Sequence, residues 1–118
     1  MKTVVIGASN NPDRYSYKAA KQLLQHKHEV VLVSNKKAEV FGIAIETIDH
    51  LHEGIDTITL YVGPQNQAVY KDYIINCNPR RVIFNPGTEN PEMEHFLEKN
   101  GIIVEEACTL VLLSTGQY

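Results

Sequence analysis

The chain has 118 residues, 43% of them hydrophobic and 21% charged. That is the size of one ordinary domain, which buries roughly two-thirds of its unfolded surface and needs no metal or disulfide to hold a core. The net charge of −3, from 11 basic and 14 acidic residues, argues against a general nucleic-acid binder, whose footprint is basic.

The first element is Val4-Val5-Ile6, a continuous β-branched run of the kind found in parallel strands buried on both faces. The run following Met1-Lys2-Thr3 is too short for a signal peptide or a membrane span, and Cys77 and Cys108 read as reduced core thiols, so the expected location is the cytoplasm. Residues 16–27 carry Ala20, Leu23 and Leu24 at helical spacing, and a helix is expected from near Ser16. A second strand reads Val30-Val31-Leu32-Val33, and the segment 47–53 is too short for more than two helical turns. The third strand is Ile58-Thr59-Leu60-Tyr61-Val62, followed by a helix over 65–77 with Val69, Tyr73 and Cys77 on one face. The fourth is Val82-Ile83-Phe84. Asn90 and Pro91 then read as N-cap and N1 of a helix that groups Met93, Phe96 and Leu97 and stops at Asn100-Gly101. The fifth strand is Ile102-Ile103-Val104.

Regular βα alternation predicts one α/β domain over residues 1–118, a Rossmann-like, doubly wound, parallel five-stranded sheet with right-handed crossovers. The expected strand order is 3-2-1-4-5. In such sheets ligands bind outside the carboxyl ends of the strands, where the order reverses, so the loops after the strands are the place to look for chemistry.

The loop after strand one runs Gly7-Ala8-Ser9-Asn10-Asn11-Pro12-Asp13-Arg14-Tyr15-Ser16. Gly7 permits a tight turn, small Ala8 and Ser9 let backbone N–H groups approach an anion, and the following helix aims its positive end at the same place. Arg14 adds a charged fork suited to phosphate. Only one glycine of the dinucleotide pattern G-x-G-x-x-G is present, so it is the loop's position after a strand and before a helix that makes it a candidate diphosphate site. After strand two, NAD-binding enzymes place an acid that holds the ribose diol; here the chain reads Ser34-Asn35-Lys36-Lys37, which suits a phosphorylated ribose such as that of coenzyme A or NADP. Gly63-Pro64 and Asn85-Pro86-Gly87 offer turn backbone along which a ligand can lie.

Taken together, Val5 to Ser16, Val33 to Lys37, Val62-Gly63-Pro64 and Phe84-Asn85-Pro86-Gly87 resemble, in order, the loops of the stand-alone coenzyme A-binding domain proteins, a family similar in fold to the coenzyme A-binding domain of succinyl-coenzyme A ligases. The resemblance spans essentially the whole chain, including Cys108. It implies that Gly7, Ala8, Ser9, Asn10, Arg14, Tyr15 and Ser16 hold the diphosphate of coenzyme A or an acyl-coenzyme A. It also implies that Lys37 lies near the adenosine ribose phosphate, with Asn35 and Lys36 beside it in the binding loop, and that Gly63, Pro64, Asn85, Pro86 and Gly87 line the rest of the groove. The family often has Asn-Pro after strand two, where this chain has Ser34-Asn35, which leaves Lys36 and Lys37 as alternatives.

Other residues point to no second chemistry. In Asp49-His50-Leu51-His52-Glu53 the i, i+2 histidines of a helix would face different sides, and a metal would require a loop and a third ligand; no metal is expected. Ser9 lacks the surroundings of a G-x-S-x-G elbow, and the acids that a phosphoacceptor receiver domain needs after strands one and three are replaced by glycine. With no acid/base pair converging on the groove, the expectation is a cytoplasmic binding module for a small nucleotide ligand, without nucleic-acid or membrane partners and with a protein partner or homo-oligomer left open. An NADP-dependent oxidoreductase, or a coenzyme A ligase subunit acting with a partner chain, is the alternative.

Overall fold

The computed structural model, which describes residues 1–118, is built on a seven-stranded sheet. Strands β1 (Lys2–Ile6), β2 (Glu29–Val33), β3 (Ala38–Val40), β4 (Ile43–Glu46), β5 (Thr57–Leu60), β6 (Arg81–Phe84) and β7 (Ile103–Glu106) lie in the order β3-β4-β2-β1-β5-β6-β7. Every pairing is parallel except β3 with β4. Helices α1 (Tyr15–Gln25) and α4 (Thr109–Ser114) pack on one face, where Val5, Ala20, Leu23, Leu32 and Leu113 form a cluster. Helices α2 (Lys71–Cys77) and α3 (Pro91–Lys99) cover the other, over Val4, Ile6, Ile58, Leu60 and Phe84. Val4, Val5 and Ile6 are fully buried, so the unbroken apolar run of β1 does report a strand covered on both sides; each such side chain contributes roughly 1.5–3 kcal/mol of burial.

The fold is the Rossmann-like mixed α/β one, but the strand count and order expected from the sequence are corrected. Two further strands, β3 and β4, form a hairpin closed by Phe41 (φ +55) and Gly42 (φ +75), the double left-handed pattern of a tight two-residue turn. Phe41 occupies a conformation that a bulky residue rarely adopts, and its ring packs on Tyr17 with centroids 4.8 Å apart. Because β4 returns parallel to β2 and takes the edge beside it, the next long strand, β5, goes to the free side of β1. The five foreseen strands therefore stand in the order 2-1-3-4-5, and the reversal lies between β1 and β5.

Local signals fared better at helix ends than in the long loop. Asn90 caps α3, its side chain accepting from Met93 N–H at 3.2 Å with Pro91 at the first turn. The helix ends with Gly101 at φ +79, Gly101 N–H on Glu98 O and Ile102 N–H on Leu97 O, the paired bonds of a Schellman stop. The helix expected over 65–77 is confined to Lys71–Cys77. Two 3₁₀ turns, Pro64–Asn66 and Ala68–Tyr70, precede it, and Val69 faces solvent instead of sharing the buried side with Tyr73 and Cys77. Buried Gln67 sets that break: its amide N–H donates to Val62 O at 3.0 Å and Thr88 O at 2.7 Å, holding the chain in a turn. No helix of the protein is long and apolar enough to cross a membrane.

Candidate functional site

A groove of about 720 Å³ opens at the carboxyl ends of the strands, over the reversal between β1 and β5. Gly7 makes that position possible. Its φ is +92, and a Cβ there would stand 2.9 Å from Tyr61 O, so only glycine lets the loop turn so close to the end of β5. The N–H groups of Gly7 and Ala8 both donate to Val33 O, at 2.9 and 3.0 Å, and so belong to the sheet and not to a ligand.

Beyond Ala8 the loop folds on its own side chains. Ser9 Oγ accepts from Asn11 N–H, and Asn11 Oδ1 from Asp13 N–H, each at 3.0 Å, while Arg14 N–H donates to Asn11 O. These local side-chain turns stiffen residues 9–14. They leave the N–H groups of Ser9 and Asn10 without an acceptor in the protein, together with those of Tyr15, Ser16 and Tyr17 in the first turn of α1. Arg14 sits at the N-cap and provides no side-chain cap, and it takes part in no ion pair. Of these donor residues, Ser9, Asn10, Tyr15 and Ser16 line the groove together with the unpaired Arg14, at the positive end of an 11-residue helix, a combination chemically suited to an anion.

The facing wall is rigid. Asn85, only 1% exposed, donates through Nδ2 to Thr59 Oγ1 (2.7 Å) and Leu60 O (2.8 Å) and accepts from Thr109 N–H (2.9 Å) through Oδ1. Thr88 Oγ1 donates to Asn85 O at 2.8 Å. Asn90 Nδ2 donates to Gln67 Oε1 at 3.1 Å, which joins the loop after β6 to the one after β5. Tyr61 enters the groove from the end of β5, and its hydroxyl is buried with no hydrogen-bond partner. Burial pushes the ionisation of that phenol far above its ordinary range.

The family model of the CoA binding domain matches residues 1–114. The chain belongs to that family. Among solved structures it is similar to the crystal structure of a protein described as uncharacterized, at 49% identity and a TM-score of 0.96 over 99% of this chain and 97% of the other. It is also similar to a hypothetical protein from Pyrococcus horikoshii OT3, at 26% identity and a TM-score of 0.86 over 96% and 81% of the two chains. A cell-free product from Thermus thermophilus, 23% identical with a TM-score of 0.85 over 99% and 90%, shares the fold. No curated protein is significantly similar.

Most of the residues singled out in this CoA-binding domain come together. Gly7, Ala8, Ser9, Asn10, Arg14, Tyr15 and Ser16 line the groove, as do Asn35 and Lys36 from the β2 loop and Gly63, Pro86 and Gly87 from the far wall. Lys37, Pro64 and Asn85 do not: Lys37 is exposed outside it, Pro64 borders a separate shallow cleft with Lys71 and Phe96, and Asn85 lies beneath the floor. Sequence reasoning missed Asp13, Ser34, Ala38, Ile45, Tyr61 and Thr88 as lining residues. Ala38 and Ile45 arrive only through the β3–β4 hairpin, whose alternating Val40, Ile43 and Ile45 were the available signal. Tyr61 read as part of the strand, which ends one residue earlier.

Proposed function

We propose that the groove binds coenzyme A or an acyl-coenzyme A, and that the chain is a cytoplasmic binding module without a complete active site of its own. The observation that carries this reading is the cluster of unpartnered N–H groups of Ser9, Asn10, Tyr15 and Ser16 beside Arg14 in the groove, which suits a diphosphate. Membership of the CoA binding domain family supports the same ligand. Lys36 supports the phosphorylated ribose: it lines the groove where a NAD binder carries an acid, and it has no acidic partner. Lys37, outside the lining, is the weaker of the two lysines for that contact. The remaining titratable side chains of the lining are Asp13, Tyr15 and Tyr61. This set holds a single carboxylate and no acid/base pair, which fits binding better than turnover.

Calorimetry with coenzyme A, dephospho-coenzyme A, NADP and NAD tests the reading. A charge-assisted contact to the ribose phosphate is worth roughly 1.5–3 kcal/mol, so coenzyme A is expected to bind about tenfold to a hundredfold more tightly than its dephospho form. Lys36→Ala should erase most of that gap, and rising salt should shrink it. Equal affinities for the two forms would leave Lys36 a solvated surface lysine, and tighter binding of NADP or NAD would overturn the ligand assignment.

A further inference from the structure

Beside the groove, the loop after β4 assembles a group of side chains that are not among the groove lining and that no part of the coenzyme A reading uses. Glu46 ends β4 and is held from two sides: Val33 is its register partner, and its carbonyl accepts the Ser34 N–H at 2.9 Å. Residues 47–54 then form turns and bends with no helix. Thr47 Oγ1 donates to Asp49 Oδ2 at 3.1 Å, and the chain turns at Gly54 with φ +73. The result sets His52 Nε2 at 3.0 Å from both carboxylate oxygens of Glu46. It also turns the exposed His50 ring onto His52, with centroids 4.9 Å apart. One ligand atom each from Glu46, His50 and His52 lies within 4.8 Å of the other two.

A helix would have sent these i, i+2 histidines to different sides. The loop removes that objection, and Glu46 is the third ligand that the two histidines lacked. Two imidazoles and a carboxylate form a donor set for Zn²⁺ and kindred divalent ions. A tetrahedral zinc with bonds of 2.0–2.1 Å spaces its donors about 3.3 Å apart. Glu46 and His52 already stand near that separation, so closing the set asks for a movement on the order of an ångström, mainly of the solvent-exposed His50. A plain Glu46–His52 ion pair accounts for those two residues but not for His50, which faces its neighbour although water is open to it.

We propose that Glu46, His50 and His52 form a site for a divalent transition-metal ion of the zinc class, with three protein ligands and at least one coordination position open to solvent or a small ligand. The site lies at the carboxyl end of β4, next to Ser34 of the groove, and uses none of the groove-lining side chains.

Titration of the chelator-treated full chain with Zn²⁺ by calorimetry tests this directly. One saturable zinc per chain is expected. His50→Ala is the most informative variant, because this exposed residue makes no hydrogen bond and its loss leaves the Glu46–His52 pair in place. It should weaken zinc by roughly a hundredfold or more, since losing only a partner behind a ligand already costs about tenfold to a hundredfold, with no change in metal-free melting temperature. His52→Ala and Glu46→Gln should do the same or more, and His26→Ala, in the histidine pair at the end of α1, should leave zinc binding intact. No saturable zinc binding by the wild type, or wild-type affinity in the His50→Ala/His52→Ala double variant, would overturn the site.

Discussion

The loops after β1 and after β6 stand at the same end of one sheet, yet they dispose of their polar groups in opposite ways. After β6, Asn85 lies under the floor and uses its amide on Thr59, Leu60 and Thr109, while Thr88 and Asn90 tie the same loop to Asn85 O, Met93 N–H and Gln67. After β1, the side chains of Ser9 and Asn11 satisfy only their immediate neighbours, and the N–H groups of four groove-lining residues, Ser9, Asn10, Tyr15 and Ser16, are left without an acceptor. Burial separates the two. A polar group removed from water must find its partner inside the protein, whereas a group at the groove keeps its donor for water or a ligand. One loop is scaffold and the other is site, although both read in the sequence as small, turn-forming residues.

The comparison can be broken most sharply at Asn85. Asn85→Ala removes three hydrogen bonds and strands their buried partners; at about 1–3 kcal/mol for each unsatisfied group, eased by relaxation, a loss on the order of 3–5 kcal/mol is expected in chemical denaturation. Affinity of the folded fraction for coenzyme A should change little. A loss of stability below about 1 kcal/mol, or selective loss of ligand binding, would move Asn85 from the scaffold to the site. Arg14→Ala should show the opposite profile. Removing an exposed, unpaired guanidinium should alter stability by no more than about 0.5 kcal/mol, while the ligand loses roughly tenfold to a hundredfold in affinity by calorimetry. The smallest effect concerns the far end of α1, where the last N–H groups bond back to the helix. His28 N–H bonds Leu23 O and Lys27 N–H bonds Leu24 O, but Lys27 adopts φ +64 to allow it. Lys27→Gly relieves a left-handed strain of about 1–2 kcal/mol and loses part of that gain to the more flexible unfolded chain. A melting temperature raised by a degree or more, with ligand affinity unchanged, is the expected outcome. A fall in melting temperature would mean that the Lys27 conformation carries little strain.

Much of this was legible residue by residue. The unbroken β-branched runs marked five strands. In β1, β5 and β6 this is because strands covered on both faces need apolar side chains at nearly every position, while β7 at the sheet edge keeps the run though half of that strand is exposed. Asn90-Pro91 and Asn100-Gly101 marked α3 because capping is chemistry among residues three or four apart. Gly7 marked the turn for a reason found only in space: its missing Cβ clears Tyr61 O just past the end of β5, the strand paired with β1. The β3–β4 hairpin escaped notice because Phe41-Gly42 is an uncommon pair for a turn with both residues at positive φ, and a contact with Tyr17 from α1 supports it. From that hairpin followed the strand order, the place of the reversal and the presence of Ala38 and Ile45 in the groove.

The sequence by itself determined the class of fold, the loops that carry the site and most of the residues that line it, because periodicity, caps and turn chemistry are encoded locally. The tertiary structure alone decided which donors stay free. Gly7 and Ala8 surrender their N–H groups to Val33 across the sheet, while those of Ser9 and Asn10 do not. It alone decided that Lys36 faces the groove and Lys37 does not, and that His50 and His52 meet Glu46. Each of these depends on contacts between segments whose relative placement is set by strand pairing, and pairing is a competition among distant parts of the chain that no local pattern records.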